Sequence, residues 1–243
     1  MRILGIETSS ATSSVALVED GEVIRERSFP SRMTLNQRLA GHVRTVVDGA
    51  DLTEAELDAV AVGVGPGSFT GVRMGVALGK AIAHALELPL VGVSAPEAIA
   101  SALQRPAGSA VCVLQRARAD EVYATALRIG EEGIVEEIEE TRVLTLPRAL
   151  RTAEELLGRP PDVLCGTGAA QFADAIRSIL PEAELCGEEQ SLPGARDVAL
   201  VAAGRAGPDR RQAAFSLTPR YVRLSQAERE FGVDLGLSGG DDG

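Results

Sequence analysis

The 243-residue chain lacks the features of disulfide-linked, zinc-binding and membrane-spanning proteins. Its cysteines, Cys112, Cys165 and Cys186, are odd in number and have no CxxC spacing, so we predict buried, reduced thiols. No apolar run approaches the ~20 residues of a transmembrane helix. Glu7 interrupts the N-terminal stretch where a signal peptide needs apolar residues. We therefore expect a soluble, cytoplasmic protein.

Positive charge is also scarce. The chain has 24 Lys and Arg against 35 Asp and Glu, a net charge of −11. Cationic side chains that neutralise phosphates supply most non-specific affinity for nucleic acids. The composition therefore argues against a protein that binds nucleic acid by itself, although it leaves room for a local basic patch.

Apolar periodicity and turn residues predict the element order βββαβαβα over the first hundred residues. Asp20-Gly21 favours a hairpin turn, and Thr34-Leu-Asn-Gln37 fits a helix capping box. The predicted strands are 2–7, 13–18, 22–29, 58–64 and 89–93, and the predicted helices begin near 34, 71 and 96. Thr53-Glu-Ala-Glu56 is in addition a second, shorter helix start after the first helix. The central strands are apolar enough to be covered on both faces.

The second half of the chain restarts in a similar way, with predicted strands at 110–114, 121–127, 134–141 and 162–165 and helices at 147–157 and 171–180. Gly63-x-Gly65-x-x-x-Phe69 and Gly166-x-Gly168-x-x-x-Phe172 share one spacing, and each follows a strand that starts with Asp. We therefore predict an internal duplication. Two such halves are typical of the duplicated α/β fold of actin, Hsp70 and sugar kinases, the ASKHA fold, with two βββαβα-type halves around a cleft.

This duplication divides the chain into three predicted regions. Residues 1–106 form the first half, which we expect to bind a partner. Residues 107–225 form the second half, and its last segment is a candidate for packing back on the first. Residues 226–243 are rich in Gly, Ser and Asp, which predicts a flexible tail.

Two segments resemble phosphate-binding elements. Glu7-Thr8-Ser9 ends the first strand, where a carboxylate and hydroxyls can hold a phosphate and its metal; the alternative is a polar hairpin turn. Glu7 stands where working kinases of this fold usually carry Asp, which argues against catalysis. The loop from Gly63 to Gly71 leads into a helix N-terminus and suits an anion, but a rigid turn explains it equally well. The candidate residues of this vestigial phosphate or nucleotide site are Glu7, Thr8, Ser9, Gly65, Gly67, Ser68, Gly166 and Gly168.

The helix after this loop carries Gly71, Gly75 and Gly79 on one face, four residues apart. Interior glycines destabilise a helix by up to ~1 kcal/mol each relative to alanine, so close backbone approach is expected to compensate. The approaching element is either a partner helix or the protein's own sheet. The predicted partner interface combines this face with the apolar stripe of the preceding helix, namely Leu35, Leu39, Val43, Val46, Gly71, Val72, Gly75, Leu78, Gly79 and Ile82.

Five motifs in order resemble the TsaB (YeaZ) family and span nearly the whole chain. They are Ile6-Glu-Thr-Ser9, Gly65-Pro-Gly-Ser-Phe-Thr-Gly71 with Arg73, Val91-Gly-Val-Ser94, Glu121-Val-Tyr123 and Pro219-Arg-Tyr-Val-Arg223. The resemblance implies a subunit needed for N6-threonylcarbamoyladenosine at position 37 of tRNAs. It implies a heterodimer with the catalytic sibling TsaD, formed through the first two helices, or a homodimer when the chain is alone. It also implies work with the ATPase TsaE and a functional link to TsaC.

The same resemblance implies that this subunit lacks chemistry of its own. TsaD binds its metal through His-x-x-x-His, and Ala95 and Ile99 stand at those positions here. His42 and His84 have no partner at metal-ligand spacing, so we expect structural roles for them. Arg116 replaces a carboxylate that the family often carries. We therefore expect no bound metal or cofactor, ATP only at an interface of the complex, and tRNA contact only through the complex.

Three functions remain from this reasoning. The first is a non-catalytic scaffold that binds and supports TsaD. The second is an ATP-dependent phosphotransferase or ATPase of the same fold, which Glu7 and Arg116 oppose. The third is a self-sufficient tRNA binder, which the acidity opposes.

Overall fold

The computed structural model describes residues 1–31, 35–50, 56–187, 189–205 and 216–222. The capping residue Thr34, most of the helix start at 53–56 and the predicted tail 226–243 lie outside these ranges. Among the described helices, none is long and apolar enough to span a membrane.

The helices and strands are numbered in chain order. The strands are β1 Arg2–Glu7, β2 Thr12–Glu19, β3 Glu22–Pro30, β4 Ala59–Gly63, β5 Leu90–Val93, β6 Ala110–Arg116, β7 Glu121–Ile129, β8 Val135–Glu137, β9 Arg142–Thr145, β10 Val163–Cys165 and β11 Glu184–Leu185. The helices are α1 Leu35–Asp48, α2 Phe69–Ala85, α3 Ala95–Ala102, α4 Leu146–Leu157, α5 Thr167–Gln171, α6 Ala173–Ile179 and α7 Ala195–Ala203.

The chain divides into two compact units. Unit 1 comprises Met1–Ala98 and Pro193–Pro219, and unit 2 comprises Ile99–Leu192 with the described residues from Arg220 onward. The first segment of unit 1 therefore ends at Ala98 rather than at the predicted 106, because Ile99 and Ala100 pack in a core with strands β6 and β7. Residues 193–219 lie in the last part of the predicted second half, the part named as a candidate for packing back on the first, and they belong to unit 1.

Unit 1 is built on a five-stranded sheet in the order β3-β2-β1-β4-β5. Strands β1, β2 and β3 form an antiparallel meander, and β4 and β5 run parallel to β1. Side chains alternate between the two faces of a strand. Leu4 and Ile6 therefore join the core under α1 and α2, while Ile3 joins the core on the opposite face under α7.

Helix α7 lies directly on β1 and β2. The Ala195 amide donates to Ser14 Oγ at 2.8 Å, and a Cβ on Gly5 would lie 2.1 Å from the Ala195 carbonyl oxygen. Val198, Ala199 and Ala202 fill the core on this face. This helix was not predicted from the sequence. Its first turn contains Asp197, and the apolar residues Val198, Ala199 and Ala202 follow at helical spacing.

Unit 2 repeats the strand order of unit 1. Its sheet runs β11-β10-β6-β7-β8, with β9 also paired to β7. Strand β6 pairs antiparallel with β7 and parallel with β10, as β1 pairs with β2 and β4. The predicted duplication and the duplicated ASKHA fold class are confirmed by this shared topology.

Two predicted elements of unit 2 differ in detail. The predicted strand 134–141 is two short strands, β8 and β9, which pair with different parts of β7. The predicted helix 171–180 starts earlier and is interrupted at Phe172, so that α5 and α6 replace it. The short strand β11 was not predicted.

Candidate functional site

The end of β1 and the loop between β4 and α2 meet in unit 1. Thr8 Oγ1 donates to the Gly71 carbonyl at 2.8 Å, and the Ser68 amide donates to the Ser9 carbonyl at 2.7 Å. The structure thus brings together the two segments that the sequence proposed as a phosphate site.

The glycines of this loop permit backbone contact. A Cβ on Gly67 would lie 2.3 Å from the Ser9 carbonyl oxygen, and one on Gly71 would lie 2.1 Å from the Thr8 carbonyl oxygen. Gly65 has a φ of +89°, which favours glycine, and its carbonyl accepts from the Ala95 amide at 2.8 Å. The loop is therefore held against β1 and α3 as a rigid turn, the second of the two interpretations left open by the sequence.

Ser68 is the N-cap residue of α2. Its side chain accepts a hydrogen bond from the Gly71 amide at 3.2 Å, which satisfies one of the amides that a helix N-terminus leaves without a partner. Gly67 and Ser68 are exposed. Arg73 lies over the Phe69 ring at 4.3 Å from its centre, so the first turn of α2 also carries a cation–π contact.

Glu7 is fully buried. Its Oε1 accepts from the Ser9 amide, whereas Oε2 and the nearby Ser9 Oγ have no hydrogen-bond partner among the described residues. A Cβ on Gly63 would lie 1.8 Å from Glu7 Oε2, so this glycine makes room for the carboxyl. Burial raises the pKa of Glu7 above its ordinary value, although the hydrogen bond from the Ser9 amide opposes the shift.

This environment favours the neutral form of Glu7. A metal-phosphate site needs a charged carboxylate and further ligands. Within the described residues, no group of three or more His, Cys, Asp or Glu side chains is placed to hold a metal ion. Ala95 and Ile99, the two positions compared above with a metal-binding His-x-x-x-His pair, carry apolar side chains and are fully buried.

The corresponding loop of unit 2 has no carboxyl. Gly166 has a φ of +98°, and a Cβ on it would lie 2.4 Å from the Leu114 carbonyl oxygen. Gly168 also approaches Leu114, with its Cβ position 2.8 Å from the same oxygen. Leu114 thus lies beside Gly166 as Glu7 lies beside Gly63. Thr167 Oγ1 accepts from the Arg116 amide at 3.0 Å, so this loop too is tied to its own sheet.

The predicted glycine face of α2 is not open to a partner. A Cβ on Gly75 would lie 2.3 Å from Thr8 Oγ1, and one on Gly79 would lie 2.3 Å from Val62 Cγ1. Gly71 lies against the Thr8 carbonyl, so all three glycines face their own unit, either just after the end of β1 or at β4. The interface prediction is wrong for this face, because the sheet already occupies the space that the glycines leave.

The apolar stripe of α1 is covered as well. The predicted interface residues in the core of unit 1 are Leu35, Leu39, Val43, Val46 and Val72, all at most 4% exposed. Leu78 and Ile82 are half-buried at its edge. Of the predicted interface, only these two residues remain partly accessible.

One flank of α2, between the glycine face and the exposed Thr70, Arg73 and His84, is apolar and partly exposed. Ala77, Ala81 and Ala85 are exposed at four-residue intervals, and Met74 lies half-buried beside them with Leu78 and Ile82. These six residues form the α2 outer face. The three alanines were not among the interface residues predicted from the sequence. Apolar residues at every third or fourth position of α2 could have indicated a second apolar stripe on this helix.

His42 and the three cysteines lie in structural surroundings, whereas His84 is exposed. His42 is half-buried and stacks on Phe29 with ring centres 3.8 Å apart, as expected of a structural residue. All three cysteines are free and buried, which confirms the prediction of buried reduced thiols. Burial raises the pKa of Cys112 to about 12.

Comparisons with known proteins agree with this fold. A family model described as TsaD, tRNA N6-adenosine threonylcarbamoyltransferase, matches residues 32–229. The chain is 31% identical to the tRNA threonylcarbamoyladenosine biosynthesis protein TsaB of Escherichia coli strain K12, over 93% of this chain and 96% of the relative. It is 28% identical to the protein of the same name from Bacillus subtilis strain 168, over 95% and 98%.

Solved structures give the same result. YeaZ from Pseudomonas aeruginosa has a TM-score of 0.68 and 26% identity, covering 90% of this chain and 99% of that one. A Pseudomonas aeruginosa protein described as similar to the peptidase YeaZ has a TM-score of 0.72 and 27% identity, covering 91% and 99%. Sequence similarity and fold therefore agree over nearly the whole length, and the chain belongs to the TsaB (YeaZ) family.

Proposed function

We propose that this chain is the non-catalytic subunit that binds and supports TsaD in forming N6-threonylcarbamoyladenosine at position 37 of tRNAs. Relatives that match over nearly their full length are named for biosynthesis of this nucleoside. The TsaD family model also matches most of the chain. In this proposal TsaE, ATP and tRNA act on the assembled complex.

The α2 outer face is the observation that supports a binding role. Its three exposed alanines have short side chains, so a partner helix can approach closely. Met74, Leu78 and Ile82 are half-buried around them and add apolar area that a partner would remove from water. We propose this face, rather than the glycine face, as the contact with TsaD.

The surroundings of Glu7 support a role without chemistry. A fully buried carboxyl is poorly placed to act as a base on a substrate, because a base must reach the proton that it removes. Arg116 and Leu114 give the loop of unit 2 no carboxylate either. In this proposal the chain contributes a surface to the complex.

The test combines gene loss with complementation. Cells that lack the gene are supplied with the original protein, Ala81→Arg or Ala170→Arg, and threonylcarbamoyladenosine in tRNA is measured by mass spectrometry of nucleosides. Ala170 is an exposed alanine of α5 in unit 2, so it is the matched control. Gene loss should abolish the nucleoside, and only Ala81→Arg should fail to restore it.

The same variants are tested for co-purification with TsaD. An arginine buried at an apolar contact without a partner typically costs about 2–5 kcal/mol, at least about thirtyfold in affinity. An intact modification without the gene would show that the functional assignment is wrong. If Ala81→Arg still bound TsaD as the original protein does, the contact would lie elsewhere. ATP turnover by the chain alone, lost in Glu7→Gln, would support the phosphotransferase instead.

A further inference from the structure

A cluster of arginines lies where β3 runs beside α1. Strand β3 is an edge strand of the unit 1 sheet, and its residues from Glu22 to Ser28 are all exposed. Arg25 and Arg27 are opposite Leu17 and Val15 of β2, which are buried in the core with α1. Because neighbouring residues in register point to the same side of a sheet, both arginines lie on the α1 side.

Contacts with α1 place this cluster more closely. Phe29, two residues after Arg27 on the same face, stacks on His42 of α1 at 3.8 Å with 18° between the ring planes. Arg38 is exposed and precedes His42 by four residues, so it lies on the same side of α1. A Cβ on Gly49 would lie 3.0 Å from Arg25 Nε, so Arg25 lies at the C-terminal end of the helix. Arg25, Arg27, Arg38 and His42 form the β3–α1 basic cluster.

The charges of this cluster are not balanced locally. Within the part of the chain that the structure describes, no ion pair joins Arg25, Arg27 or Arg38 to a carboxylate. Burial lowers the pKa of His42, and the charges of Arg27 and Arg38 lower it further. Glu26 lies between Arg25 and Arg27 on β3 but points to the α7 side of the sheet, where its charge raises the pKa of Asp197. Asp48 is the last residue of α1, at the same end of the helix as Arg25.

The cluster concentrates guanidinium groups at one edge of a chain whose net charge is −11. The guanidinium group fits phosphate oxygens with two parallel hydrogen bonds. Two arginines separated by one residue on a strand are about 7 Å apart, so each can reach a different phosphate. The net negative charge of the chain disfavours a polyanion elsewhere on its surface, so a local cluster of guanidinium groups is a favoured place for its approach.

We propose that the β3–α1 basic cluster binds the phosphate backbone of RNA when the chain is part of its complex. The inference rests on the proposed function, in which the complex acts on tRNA, and it adds a direct contact between this subunit and the RNA. The cluster contributes affinity and orientation and does not read sequence, because phosphate contacts carry no base information.

The test measures RNA binding by the complex of this chain with TsaD. A fluorescently labelled tRNA transcript is titrated and its anisotropy recorded at several salt concentrations, for the original chain and for Arg27→Gln/Arg38→Gln. The control, Arg148→Gln/Arg151→Gln, removes the same charge from exposed positions of α4 in unit 2. Loss of two phosphate contacts should weaken binding about tenfold and lower the slope of log affinity against log salt by about 1.5–2.

The other variants and outcomes separate the explanations. Arg27→Lys/Arg38→Lys keeps the charge and should keep most of the affinity, and the α4 control should bind as the original does. Unchanged affinity in Arg27→Gln/Arg38→Gln would overturn the inference. Loss of TsaD binding in that variant would also overturn it and would mark the cluster as a protein contact. Failure of the original chain to bind TsaD at all would overturn the proposed function, and the inference with it.

Discussion

At the scale of single residues, Gly75 sets how closely α2 lies on β1. A Cβ at this position would be 2.3 Å from Thr8 Oγ1, the atom that donates to the Gly71 carbonyl. Thr8 is fully buried, so it has little space to move away. A side chain on Gly75 therefore disturbs both the packing of the helix and this hydrogen bond.

We predict that Gly75→Leu destabilises the chain by about 1–3 kcal/mol or more, even though leucine is the better helix former. Thermal unfolding of the chain alone measures this effect, and Ala77→Leu is the control. Ala77 is exposed on the same helix, so its substitution should change stability by only about 0.5 kcal/mol or less. Equal melting temperatures for Gly75→Leu and the original chain would contradict the packing of α2 on β1.

Asp197 makes stability depend on pH. It is 6% exposed, and burial together with the charge of Glu26 raises its pKa from 3.8 to about 6 despite the opposing charge of Arg196. The folded chain therefore holds this proton more tightly than the unfolded chain does. The resulting stability is fully present below pH 4 and is lost as the pH rises through 6.

We predict that Asp197→Asn removes this loss, because asparagine does not ionise. The free energy of unfolding of the variant minus that of the original chain should be larger at pH 8 than at pH 4, by up to about 3 kcal/mol. Urea unfolding at the two pH values measures the difference. Asp174→Asn, at an exposed position in the first turn of α6, should show little of it, and a similar dependence in both variants would exclude Asp197 as the cause.

At the scale of elements, α2 has two small-residue stripes with different roles. Its glycines lie against Thr8, just after β1, and against Val62 of β4, while its alanines are exposed. The predicted backbone approach is found at Gly71, whereas Gly75 and Gly79 meet side chains. The glycine spacing did not identify the approaching element, because a partner helix and the protein's own sheet both require the absence of side chains.

Helix α7 shows a different limit of sequence reasoning. Its apolar spacing was readable, yet its place in the fold depends on residues far apart in the chain. Ala195 contacts Gly5 and Ser14, and Arg205 just after the helix pairs with Glu97 of α3 at 2.5 Å. Through these contacts, one face of the unit 1 sheet is covered by a segment that follows the unit 2 residues Ile99–Leu192 in the sequence.

At the scale of the whole molecule, unit 1 is discontinuous, which predicts how fragments behave. Residues 1–98 alone lack α7, so Ile3, Ala61 and Val91 lose the cover that Val198, Ala199 and Ala202 provide. We predict that this fragment does not unfold cooperatively. Joining residues 193–219 to it through a flexible linker should restore a cooperative transition, as followed by circular dichroism. A cooperative transition in the shorter fragment would show that α7 is dispensable.

The amino-acid sequence by itself predicted most of the element order, the duplication, the buried thiols and the family, although it did not predict α7 or β11. These predictions came from local patterns, namely strand periodicity, the Asp20-Gly21 turn and the repeated glycine spacing. Such patterns reflect interactions between residues that are close in the sequence. Tertiary structure decided the assignment of 193–219 to unit 1, the buried state of Glu7 and the covered glycine face. Each of these depends on which distant residue fills a space, as the Thr8 side chain does beside Gly75 and the Ala195 backbone does beside Gly5.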